Sequence, residues 1–119
     1  MKPSYRRVTI LRGEQQVAEL QLFMAFNVWQ RARGLLARPL PDPGYGLWLK
    51  PCSAVHCWFM GYAIDVLFLD AQGRVIKICS ALKPWRMAAC PGARSVIELA
   101  AGETQRLSIK EGDQCICAF

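Results

Sequence analysis

The stretch HCWFMGYAIDVLFLD, residues 56–70, is the most apolar part of the chain, and its second half decides the fold. Ile64 to Leu69 has the length and the β-branched and aromatic content of a strand. Asp70-Ala71-Gln72-Gly73 is turn chemistry, and Arg74 to Cys79 reads as the returning strand. On the N-terminal side, Ala54 to Met60 reads as another strand. So does Gly46 to Lys50, with Leu47 and Leu49 on one face and Trp48 on the other. Tyr5 to Leu11 and Val17 to Phe23 form a predicted hairpin around Arg12-Gly13-Glu14. Between hairpin and centre, Asn27 with Gln30 makes a capping-box pattern for a short helix ending near Arg33 or Leu36. Pro39, Pro41, Pro43, Gly44 and Gly46 then give a stiff loop. On the C-terminal side the sequence predicts an irregular loop over Ser80 to Arg94 and a strand at Ser95 to Leu99. A helical turn follows at Glu103 to Ile109, and a last strand at Gln114 to Ala118. Many short strands and little helix point to a sandwich or barrel in one domain spanning 1–119.

Composition agrees with a packed domain. Of 119 residues, 53% are hydrophobic and 20% charged, enough apolar surface to offset the entropy of ordering. Cys57 to Leu69 is broken by Asp65 and is shorter than the roughly 20 residues of a membrane-spanning helix. Lys2, Arg6 and Arg7 are followed by only Val8 to Leu11, too little for an export signal. The expectation is therefore a soluble, cytoplasmic chain. Its six cysteines are then expected as thiols. Cys115 and Cys117, with Cα atoms about 6.5–7 Å apart in a strand, would make a strained bridge. The net charge of +6 is concentrated in residues 1–50. No basic run exceeds two residues and no aromatic series interleaves with one, so the pattern argues for a solvated face and against nucleic acid.

No nucleotide-binding glycine motif, nucleophile elbow, zinc-protease motif or Cys-x-x-Cys is present. Three constellations remain. Cys52, His56 and Cys57, completed by Cys79 or Cys90, carry metal-ligating types, but their spacing matches no zinc module, and free cysteines commonly pack as small apolar groups. No metal or other cofactor is expected. Asp65 must find a partner, because a buried lone carboxylate costs several kcal/mol. Arg33, His56 and Lys83 are the candidates, and an Asp–His pair in a cleft could act as general base. The alternative is a strand-entrance role, accepting N–H groups from the Gly61-Tyr62 turn. Third, Cys57 could be a thiol nucleophile, although His56 beside it on a strand would point to the opposite face. Among Trp29, Trp48, Trp58 and Trp85, the one expected at a site is Trp85, within Lys83-Pro84-Trp85-Arg86.

These pieces resemble, in order and spacing, domain-of-unknown-function family 192. They are Arg33-Gly34-Leu35-Leu36, Leu47-Trp48-Leu49 with Pro51-Cys52, and His56-x-x-x-Met60 with Ile64 to Asp70. Gly73-Arg74-Val75, Lys83 to Arg86, Val96 to Leu99, Ala101-Gly102 and Gly112-Asp113 follow. The resemblance covers about residues 20–117. It implies a mainly β domain, similar to a jelly-roll-like sandwich or partly closed barrel with one or two short helices. It implies no established activity. Its recurring polar positions fall on Arg33, His56, Asp65, Asp70, Lys83, Glu98 and Asp113, with Asp70 and Asp113 expected as structural turn residues. Cys57 stands where relatives commonly carry threonine, and Ala63 where they commonly carry proline.

The leading functional expectation is a non-enzymatic accessory module that binds a small ligand or a protein partner between Arg33, His56, Met60, Asp65, Lys83 and Trp85. One alternative is a hydrolase-type enzyme using His56 and Asp65, or a metal at His56. Another is a basic-faced scaffold associated with the envelope or nucleic acid. Oligomeric state is left open.

Overall fold

The computed structural model describes residues 5–26, 39–56 and 61–117, His56 through its backbone. Among the described residues there are nine strands: β1 (Tyr5–Arg12), β2 (Gln15–Ala25), β3 (Tyr45–Leu49), β4 (Ala54–His56), β5 (Ile64–Leu69), β6 (Val75–Leu82), β7 (Met87–Ala89), β8 (Ser95–Ala100) and β9 (Gln114–Cys117). A short helix, α1, spans Glu103–Arg106. Seven strands form one sheet in the order β6-β5-β8-β3-β2-β1-β9, and β4 pairs with β7 in a second, two-stranded sheet. All pairings are antiparallel except β2 with β3, whose parallel alignment requires a long crossover. The expected helix from Asn27 lies in that crossover, outside the described residues.

β5 is buried along its whole length. Ile64, Val66 and Phe68 join one apolar cluster, Leu67 and Leu69 the other. A strand covered on both faces has no reason to alternate, which is why it reads as an unbroken apolar run. The second cluster draws Val8 and Ile10 from β1, Leu20 from β2, Trp48 from β3, Leu67 from β5, Val75 from β6, Ile97 from β8 and Cys115 from β9. Seven strands can share one cluster only if the sheet curls around it. Each Val, Leu and Ile side chain among them contributes about 1.5–3 kcal/mol through its burial. The first cluster lies on the opposite face, where Val55 of β4 and Ala88 of β7 cover Leu47, Leu49, Val66, Phe68 and Val96.

The curl brings the two sheet edges together at one corner. Arg74 bridges Gln114, the Val75 N–H donates to the Asp113 carbonyl at 2.8 Å, and the Cys115 N–H donates to that of Gly73 at 2.8 Å. Gly73 sits at φ 78°, and a Cβ there would lie 2.8 Å from the Cys115 carbonyl oxygen, so the approach depends on glycine. The sheet is curled but not closed into a barrel. A close approach also explains Gly46, where a Cβ would stand 2.3 Å from the Glu98 carbonyl oxygen of β8.

The expected irregular loop over Ser80 to Arg94 is corrected. β6 runs on to Leu82 through a bulge, and Met87–Ala89 form a strand because β4 offers it a partner. The strand expected at Ala54 to Met60 is seen to His56, and that at Gln114 to Ala118 to Cys117; Cys57 to Met60 and Ala118 lie outside the described residues.

Candidate functional site

Asp65 follows Ile64 at the entrance of β5 and is completely buried. Opposite it, β6 bulges: Ile64 pairs with Leu82 and Val66 with Cys79, so Ser80 and Ala81 face one residue. Ala81 takes a left-handed φ of 51°, and its N–H donates to Asp65 Oδ1 at 2.8 Å. Asp65 Oδ2 accepts the N–H groups of Gly102 at 3.1 Å and Thr104 at 2.9 Å, and the Thr104 hydroxyl at 2.7 Å. Gly102 is the N-cap of α1 and has no side chain to cap it, so a carboxylate from β5 performs that task. Asp65 thereby ties β5, the β6 bulge and α1 together. The donors expected from the Gly61-Tyr62 turn are replaced by these four. Among the described residues neither Lys83 nor any other cation pairs with it.

Two further buried carboxylates act alike, Asp113 at the far corner and Glu103 at the start of α1, beside the donors of Asp65. Arg12, at the end of β1, grips Asp113 with Nε at 2.9 Å and Nη2 at 3.0 Å, while the Lys110 N–H donates to it at 2.8 Å. Burial opposes ionisation of Asp113. The Arg12 guanidinium, the Lys110 N–H and nearby positive charge outweigh it and hold the carboxyl below its ordinary range. Glu103 is also held low, first by Arg106, against burial and with help from the Gly44 N–H. Burial, with Asp113 nearby, pushes the Cys115 thiol up to about 12. Asp70, as its turn context suggests, accepts the N–H groups of Gln72 and Arg74, each at 2.9 Å.

The other candidates fall at one end of the sheet. Because Ile64 pairs with Leu82, the segments 61–63 and 83–86 leave that end side by side. The Tyr62 hydroxyl donates to the Pro39 carbonyl at 3.3 Å, bringing 39–42 to the same end. His56 pairs through its backbone with Met87, so β4 also ends there. Lys83 and Arg86 are exposed, and the Arg86 N–H donates to the Lys83 carbonyl at 3.2 Å. With Pro84 second and Trp85 third at φ 69°, this is the pattern of a type II turn. Glycine normally fills that third position. Here a tryptophan fills it and is 61% exposed, with Met87 beyond it 64% exposed. A non-glycine residue in this region costs about 1–2 kcal/mol, so the turn holds Trp85 outward against its own backbone preference.

Arg33, Met60 and Cys57 lie outside the described residues. Cys52 is half-buried, and its thiol donates to the Ala54 carbonyl at 3.1 Å. Among the described residues no group of three or more His, Cys, Asp or Glu side chains is close enough to hold a metal ion. Sequence reasoning missed Thr104, Arg12 and Met87. The pairs Asp65–Thr104 and Arg12–Asp113 carry no local signal, whereas Met87 adjoins a Pro-Trp turn that did.

Curled topology and buried, structurally engaged carboxylates define a small mainly β domain. The chain belongs to the DUF192 family (Uncharacterized ACR), whose model matches residues 9–117. It is similar to a UPF0127 protein of Pyrococcus furiosus, 36% identical over 114 residues, covering 90% of this chain and 93% of that protein. A UPF0127 protein of Pyrococcus abyssi is 33% identical over 98 residues, covering 76% and 80%. Two solved structures share the fold. One, from Sinorhizobium meliloti and described as a "putative transcription regulator", superposes with a TM-score of 0.86 at 22% identity, covering 98% of each chain. A protein of unknown function from Novosphingobium aromaticivorans gives 0.84 at 21%, covering 94% of this chain and 84% of that one. Among the described residues no helix is long and apolar enough to cross a membrane.

Proposed function

We propose that this protein is a non-enzymatic binding module whose recognition element is the turn Lys83 to Met87, with the 39–42 and 61–63 segments and the end of β4 beside it. The observation that carries this reading is Trp85: a large apolar ring, mostly exposed, held in a strained backbone conformation between two cations. Strain of this kind persists where the surrounding structure holds it, and it concentrates at functional positions. The enzyme reading loses support at Asp65. Its carboxylate is fully buried and already accepts four hydrogen bonds, so little acceptor capacity is left for a substrate proton. A ligand screen read by amide chemical shifts tests the proposal. Hits should move the resonances of Lys83, Trp85, Arg86 and Met87. Hits that move only the corner around Ser108 to Asp113 would overturn it.

A further inference from the structure

We infer that the partner of the Lys83–Met87 turn is an anionic membrane surface, on which the protein sits peripherally; this rests on the binding-module reading above. Charge supports it first. Residues 71–97 contain no Asp or Glu but carry Arg74, Lys77, Lys83, Arg86 and Arg94. The two acidic residues nearest in sequence are both engaged within the fold: Asp70 closes its own turn, and Glu98 is buried. Lys77 lies against this face, donating to the Ala89 carbonyl at 3.0 Å and standing 5.8 Å from the Phe68 ring centre. Of these cations Lys77, Lys83 and Arg86 lie on the β7 side, while Arg74 and Arg94 are held at the other end of β5, beside Gly112 and Leu69. Asp42, exposed in the 39–42 segment, is an acidic neighbour at the turn's end of the sheet.

The second support is the kind of apolar group offered. Trp85 and Met87 project from a turn and the strand that follows it, and Leu40, 54% exposed, lies at the same end of the sheet. An indole beside lysine and arginine is the side-chain set that settles at the boundary between headgroups and acyl chains, and aliphatic neighbours can enter below it. Single-stranded nucleic acid would call for a series of stacking rings. Here the exposed ring of Trp85 stands beside the exposed aliphatic side chain of Met87, with Leu40 at the same end of the sheet. The cations Lys83 and Arg86 flank Trp85, so they would meet lipid phosphates while the ring inserts.

Vesicle co-sedimentation of the full chain tests this, using phosphatidylcholine with and without phosphatidylserine. Binding should require the anionic lipid and weaken steeply as salt is added. Trp85→Ala should lower the partition coefficient about tenfold, reflecting lost apolar insertion. Lys83→Ala and Arg86→Ala should each lower it about fivefold. Vesicles with brominated acyl chains should quench part of the fluorescence, and Trp85→Phe should remove that quenching. Circular dichroism of each variant should match the parent, which separates lost binding from lost fold. No binding to anionic vesicles at low salt, or binding that Trp85→Ala leaves unchanged, overturns the membrane assignment. Capture of polyglutamate in place of vesicles, lost in Trp85→Ala, would also overturn it while leaving the recognition turn in force for an acidic protein. Indifference of every probe to Trp85 would remove both readings.

Discussion

Asp65 and Trp85 both belong to the end of the sheet where β5 begins and β6 ends, and they are treated in opposite ways. Asp65 is a charged residue taken fully inside and surrounded by donors. Trp85 is an apolar residue held outside on a backbone that disfavours it. A buried charge survives only when its hydrogen bonds are completed, so its neighbours reveal a structural task. An exposed ring in a left-handed turn stands against its own backbone preference, which is why the proposal places recognition there. The difference teaches that a polar type at the apolar centre can be wholly absorbed by the fold, while an apolar type at the rim is left facing outward.

The comparison breaks most decisively at Asp65. Asp65→Ala leaves Ala81, Gly102 and Thr104 donors without an acceptor, and should destabilise the fold by about 4 kcal/mol in urea unfolding. If it changes stability by less than ~1 kcal/mol, the carboxylate is not the structural tie described above.

A smaller effect is expected at the corner. Arg12→Ala should lower the urea midpoint by less than Asp65→Ala does, because Arg12 is itself half-exposed while Asp113 stays buried. Asp113, together with Glu103 at α1, sets a pH dependence. Asp113 and Glu103 have lowered carboxyl values in the fold, so their contribution is present above the ordinary carboxylate range near 4 and is lost as pH falls through the lowered values. Urea midpoints should therefore hold steady above about pH 5 and decline below about 4, with a shallower decline in Arg12→Ala.

Trp85→Gly sharpens the other half of the contrast. Glycine relieves the left-handed strain, offsetting the ring contacts it removes, so the net change should stay within about 1 kcal/mol. A loss of several kcal/mol would make Trp85 a core anchor. The smallest expected effect is chemical. Cys115, buried and with its thiol raised to about 12, should resist iodoacetamide in the folded protein and react once it is unfolded, as peptide mass spectrometry would show.

Much of the fold was legible because its signals are local. Alternation at Val8 and Ile10, turn chemistry at Asp70 to Gly73 and the apolar run of β5 each act within a few residues. The strand at Met87–Ala89 was not legible, since three residues gain strand character only from β4 beside them. For the candidate site, Trp85 was singled out by its place in Lys83-Pro84-Trp85-Arg86, which is again local, whereas Lys83 was named as a partner for Asp65 that the fold does not use. The role of Asp65 was not legible, because its donors lie 16, 37 and 39 residues away.

By itself, then, the sequence determined that the chain is mainly β, where most strands run, and that Asp65 must be compensated: periodicity and the cost of burying charge require no knowledge of neighbours. Only the tertiary structure decided how the sheet curls, that its edges meet at Arg74 and Gln114, and which donors satisfy Asp65. Those outcomes depend on backbone groups brought together across the fold, and a backbone N–H carries no residue identity from which a distant partner could be read.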